Sequence, residues 1–147
     1  MSLKNEIIRK AEYLTAETLD VLNGGHFSTY HINVSELQLR RRGKDIASTF
    51  NSMADVNVAL NLAFTDMLNA TAIEKALRKA KEGDRDEVPF FSDYDLGKAL
   101  VRTENGCKMV SCSCGNVVIE YKDSDYRNRT TGMPFEVITI TLEPDED

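Results

Sequence analysis

Between Gly83 and Asp95 the chain reads GDRDEVPFFSDYD, and its pattern changes across this stretch. Before it, apolar residues recur at helical spacing. After it, they come in short β-rich runs parted by turn residues. The stretch itself holds a proline, three aromatics and a cluster of acids, and reads as a charged loop. Helices first and strands after predict an α+β fold, with a helical half packed on a C-terminal antiparallel sheet.

On the N-terminal side, Ile7, Ile8, Ala11, Leu14, Leu19 and Leu22 mark an amphipathic helix through residue 23, stopped by Gly24 and Gly25. His26 to His31 reads as extended or looped. Ser35 is placed to cap a short helix running through Arg42 and ended by Gly43. Ala47 to Phe50 reads as a short strand. Ser52 then opens a long helix whose apolar face runs from Met53 through Leu68 to Ala80, with a break expected near residues 69–71.

On the C-terminal side, strands are expected at residues 99–103, 108–113, 117–121 and 136–142. ENG at 104–106 and CGN at 114–116 supply turn residues. KDSDYRNRTTGMP, residues 122–134, reads as a long polar hairpin loop. The expected organisation is one domain over 1–147. Residues 1–23 form the first helix, 24–83 a His/Arg segment and the long helix, and 96–144 the sheet.

Composition narrows the class. The chain has 147 residues, 41% hydrophobic and 29% charged, which suits a folded domain rather than a disordered one. No apolar run approaches the roughly 20 residues needed to span a bilayer. MSLKNEIIRK carries charges where a secretory signal needs an apolar stretch. The expectation is a cytoplasmic chain without membrane contact, or one piece of a longer exported polypeptide. Cys107, Cys112 and Cys114 are an odd number with no nearby histidine, so reduced thiols and no metal are expected. A net charge of −6 argues against a generic nucleic-acid coat but leaves a locally basic cleft open. Arg40, Arg41, Arg42 and Lys44 form one basic cluster, and Lys75, Arg78, Lys79 and Lys81 another.

Both histidines, His26 and His31, lie in GGHFSTYH. Histidine exchanges protons near neutrality, so two in one loop before a basic cluster point to acid–base chemistry. A loop histidine bonded to backbone is the alternative. No phosphate-binding glycine loop, GxSxG or HExxH spacing is present.

GGHFSTYHINVSELQLRRRGKDIASTFNSMADVNVALNLAF resembles the start of the bacterial ribonuclease A-like toxin domain. That domain is found at the C-termini of contact-dependent inhibition and other polymorphic toxins, in the wider barnase–EndoU–colicin–RelE-like group. The family pattern is Gly-His, a second His five residues on, an Arg eleven residues later, then A-S-T-F opening a long helix. Here these are Gly25-His26, His31, Arg42 and Ala47-Ser48-Thr49-Phe50. Leu96-Gly97-Lys98 and the final ITLEP resemble later family segments, so the resemblance runs from about Gly24 to Pro144.

The resemblance implies a metal-free, cofactor-free endoribonuclease acting on RNA, tRNA among the targets, and a cognate immunity protein as partner. It makes His31 the principal catalytic histidine, Arg42 the cation at the scissile phosphate and Thr141 the C-terminal threonine. Glu143 stands where the family usually has a tyrosine. It belongs either to the acidic tail or to the site as a general base. His26 is a secondary candidate. Arg40, Arg41 and Lys44 either guide the RNA backbone or form a solvated face. Tyr30 and Tyr126 either stack bases or pack. Two further classes stay open: a relative that binds RNA or protein without cleaving, and an unrelated α+β module of a phage or mobile element.

Overall fold

The computed structural model describes residues 2–22, 27, 31–123 and 125–145. His26, Tyr30 and the Gly24-Gly25 helix stop lie outside the described residues.

The first amphipathic stretch is divided rather than continuous. Helix α1 (Leu3–Lys10) passes through a 3-10 turn (Ala11–Tyr13) to Leu14, whose backbone is extended, and α2 (Ala16–Leu22) begins afresh. Thr15 restarts the helix by accepting the Thr18 N–H at 3.2 Å. The Asn57 side-chain oxygen takes the Ala16 N–H at 2.7 Å. Both N–H groups belong to the helix's first turn, which has no internal acceptors. The break keeps Ile7, Ala11, Leu14, Ala16 and Leu19 all buried.

Helix α3 (Glu36–Arg41) starts at a capping box between Ser35 and Gln38. Strand β1 is Ile46–Phe50. The long helical signal that follows is two helices, α4 (Met53–Thr65) and α5 (Met67–Leu77). They divide at Asp66, earlier than expected. Asp66 has extended backbone and its carboxylate accepts the Asn69 N–H at 2.9 Å, which starts a helix rather than continuing one.

The stretch expected as a charged loop contains a strand, β2 (Arg85–Phe91). Val88 and Phe90 alternate inward, with Pro89 between them exposed. Proline is tolerated because β2 is an edge strand and Pro89 turns its backbone away from the ladder. Its carbonyl instead accepts the Asn69 side-chain N–H at 2.7 Å. The adjacent acids Asp86 and Glu87, with Pro89, leave only Val88 and Phe90 to show the period of two.

Strands β3 (Gly97–Thr103), β4 (Gly106–Cys112), β5 (Cys114–Tyr121) and β6 (Phe135–Glu143) complete the chain. The fold is α+β. The strands form two three-stranded antiparallel sheets, ordered β1-β3-β4 and β2-β5-β6, where one sheet was expected. CGN at 114–116 is not a turn but the start of β5. A Cβ at Gly115 would strike the Thr141 carbonyl oxygen and the Phe90 ring, so glycine there serves close packing. Gly97 does the same between sheets: a Cβ would strike the Thr49 carbonyl oxygen and the Leu142 side chain. The absent side chain lets β6 approach β1.

The main core joins α1, α2, α4 and α5 to the inner face of the second sheet, including Leu60, Phe64, Ile119, Tyr121 and Phe135. A smaller core of Val34, Leu39, Ala47 and Leu100 lies under α3. The polar loop 122–134 is tied down. Asn128 accepts the N–H groups of Thr130 and Thr131, and Arg127 reaches Glu6 of α1 at 2.8 Å. Among the described residues no helix is long and apolar enough to cross a membrane.

Candidate active site

Phe27 and His31 have helical backbone, where an extended or looped segment was expected. The main chain after His31 is fastened to β1. Asn33, with left-handed backbone, donates to the Phe50 carbonyl at 2.7 Å, and Ile32 bridges Phe50. The buried Thr49 hydroxyl accepts the Val34 N–H at 2.8 Å and lies 3.3 Å from the His31 carbonyl. Ala-Ser-Thr-Phe therefore acts as the anchor of the histidine.

The His31 ring stacks on Phe27, with centroids 4.7 Å apart. Burial, aided by the charges of Arg42 and Lys44, holds its pKa down to about 4. The imidazole is neutral at pH 7.

Arg42 caps the C-terminus of α3, and Gly43 turns the chain with left-handed φ. Arg102 on β3 braces this turn, donating to the carbonyls of Lys44 at 3.1 Å and Arg40 at 3.4 Å. Thr141 and Glu143 flank the buried Leu142, so they share the outward face of β6. Glu143 is the last residue of the strand and is exposed.

His31, Arg42, Lys44, Ser48, Thr141 and Glu143 line one cleft of about 240 Å³. The proximity of β6 to β1 creates it. Arg40 and Arg41 stay exposed on α3 outside the cleft, Arg40 lying 3.7 Å from Glu36. Tyr126 receives an N–H from Asn128 within the polar loop at 3.2 Å. A larger groove, about 410 Å³, lies between the 3-10 turn and α4, but its lining has Glu12 alone as an ionisable group. Unlike that groove, the smaller cleft brings a histidine and a carboxylate together with two cations.

Among the described residues no three His, Cys, Asp or Glu side chains gather as metal ligands. Cys112 is buried, and its thiol is pushed up to about 12 by that burial, an inert position rather than a reactive one.

No family model and no curated protein matches this chain. In fold, it is similar to a chain in the crystal structure of a CdiA-CT/CdiI complex from Y. kristensenii. The TM-score is 0.64 at 19% identity, covering 82% of this chain and 100% of that one. At that identity the likeness is one of fold.

Two cleft neighbours escaped the sequence reading. Asn116, opposite Thr141 on β5, donates to the Glu143 carboxylate at 2.9 Å, and its carbonyl lies 3.5 Å from the Thr141 hydroxyl. It was hidden inside the supposed CGN turn. Phe27 precedes His31 by four residues, and only the ring contact in the structure marks it as a partner of the imidazole.

Proposed function

We propose that this chain is a metal-independent endoribonuclease of the toxin type, folded as one domain. The observation that carries the reading is the convergence of His31, Arg42, Thr141 and Glu143, far apart in sequence, on one cleft. These are the positions that the resemblance to ribonuclease A-like toxins singles out. The fold likeness to a chain of a CdiA-CT/CdiI complex accords with it. By the same analogy we propose a cognate immunity protein as partner, tRNA among the substrates, and action in the cytosol of a target cell.

The cleft's own chemistry suits cleavage at a 2′-hydroxyl. Neutral His31 takes the 2′-hydroxyl proton. The 2′-oxygen bonds to phosphorus, the bond to the 5′-oxygen breaks, and that oxygen leaves with a proton from solvent. Arg42 offers a planar fork to the non-bridging oxygens, and Lys44 a second cation. Thr141 adds a hydroxyl donor as charge builds on the phosphorane. Glu143 is the alternative base, its carboxylate oriented by the Asn116 amide. It also supports a second reading. With glutamate where the family has tyrosine, the chain is a relative that binds RNA without cutting it.

The test is cleavage of total RNA in EDTA, with product ends read by mass spectrometry. 2′,3′-cyclic phosphate ends support the enzyme. Intact RNA at high protein concentration supports the non-cleaving relative.

A further inference from the structure

Antiparallel register fixes which side chains share a sheet face. In the second sheet Phe91 lies opposite Cys114, which lies opposite Glu143; Pro89 lies opposite Asn116, which lies opposite Thr141. Residues opposite one another project to the same side. Their neighbours Phe90, Gly115 and Leu142 are buried, so these six project outward. The face is continuous with the cleft through Thr141 and Glu143. Phe91 stands on it 74% exposed.

We propose that this face is a nucleobase platform, on which Phe91 stacks a base neighbouring the scissile phosphate and Asn116 borders it. The inference rests on the ribonuclease reading and adds the place where single-stranded RNA lies. Phe91 and Glu143 are two strand spacings apart, about 10 Å, a span that one nucleotide with its base covers. Charge argues for a base rather than a phosphate there. The six residues include no cation, whereas Arg42 and Lys44 sit in the cleft beyond β6. An exposed aromatic gives any base a flat apolar surface, and the adjacent Asn116 amide supplies polar contacts at its edge.

The probe is a dye-labelled single-stranded RNA with 2′-O-methyl sugars, which cannot be cleaved by the 2′-hydroxyl route, and a matched strand of abasic nucleotides. Binding is followed by fluorescence anisotropy. Phe91→Ala should weaken binding of the base-bearing strand about tenfold, and Phe91→Tyr should restore it. Phe91→Ala should leave the salt dependence unchanged, since stacking releases no counterions, while Arg42→Ala should flatten it. On the abasic strand wild type and Phe91→Ala should bind alike. The platform is overturned if Phe91→Ala binds the base-bearing strand as tightly as wild type, or if wild type binds neither strand. Base-dependent binding without cleavage of natural RNA sustains the platform and rejects the nuclease; cleavage with Phe91→Ala binding normally does the reverse.

Discussion

Phe27 and His31 stack with their ring planes 29° apart, and the phenyl ring covers one face of the imidazole. Burial is the main reason His31 holds its proton so weakly, so opening that face should raise its pKa. Phe27→Ala should move the NMR titration of His31 up from about 4 toward the ordinary 6.5. A titration midpoint left near 4 would show that Phe27 is not the cover.

The same shift links His31 to stability. Between the unfolded value of 6.5 and the folded value of about 4, the unfolded chain binds more protons. The contribution of His31 is present above pH 6.5 and is lost as pH falls through that window. Acidification from neutral pH to about 4 should therefore lower the urea midpoint of wild type more than that of His31→Gln. If His31 is the base, kcat/KM should stay level through neutral pH and fall as pH drops through about 4.

Thr49 links the motif to the site. Thr49→Val removes the acceptor of the buried Val34 N–H and the hydroxyl beside the His31 carbonyl. The loss should be about 1–3 kcal/mol in denaturant unfolding. Thr49→Ser, which keeps the hydroxyl, should recover most of it. Equal losses in both variants would mean that packing of the methyl group, not the hydrogen bond, is what counts.

Much of this arrangement was legible in the sequence. Apolar period and capping residues placed the helices, and the order of elements placed the α+β class. What escaped depended on tertiary partners. Leu14 and Asp66 divide helices because Thr15, Asn57 and Asp66 offer backbone N–H groups a better acceptor. β2 was hidden by its acids and its proline, which only an edge position explains. Asn116 was concealed because Gly115 looks like a turn until Phe90 and the Thr141 carbonyl occupy the space beside it.

Away from the site, Glu6 meets Arg127 and Lys10 at 2.8 and 2.7 Å, tying α1 to the polar loop. The Arg127 hydrogen bond, with Lys10, holds the Glu6 carboxyl down to about 2, against burial acting the other way. Its stabilising contribution is present above 4.5 and is lost as pH falls toward 2. Glu6→Gln should lower Tm at pH 6 and match wild type near about pH 2. A gap that persists at the lower pH would mean that packing, not charge, couples loop to helix.

Glu143→Gln separates the two bases. If His31 takes the proton, the variant should cleave within about tenfold of wild type; if Glu143 does, the loss should reach about 10²–10⁴. Initial rates on a defined oligoribonucleotide decide between them.

The most direct test is RNA cleavage in EDTA by wild type and His31→Ala side by side, with circular dichroism showing both folded. EDTA-resistant cleavage by wild type, reduced about 10²-fold or more in His31→Ala, is the predicted result. Undiminished cleavage by His31→Ala, or none by wild type, would contradict the account.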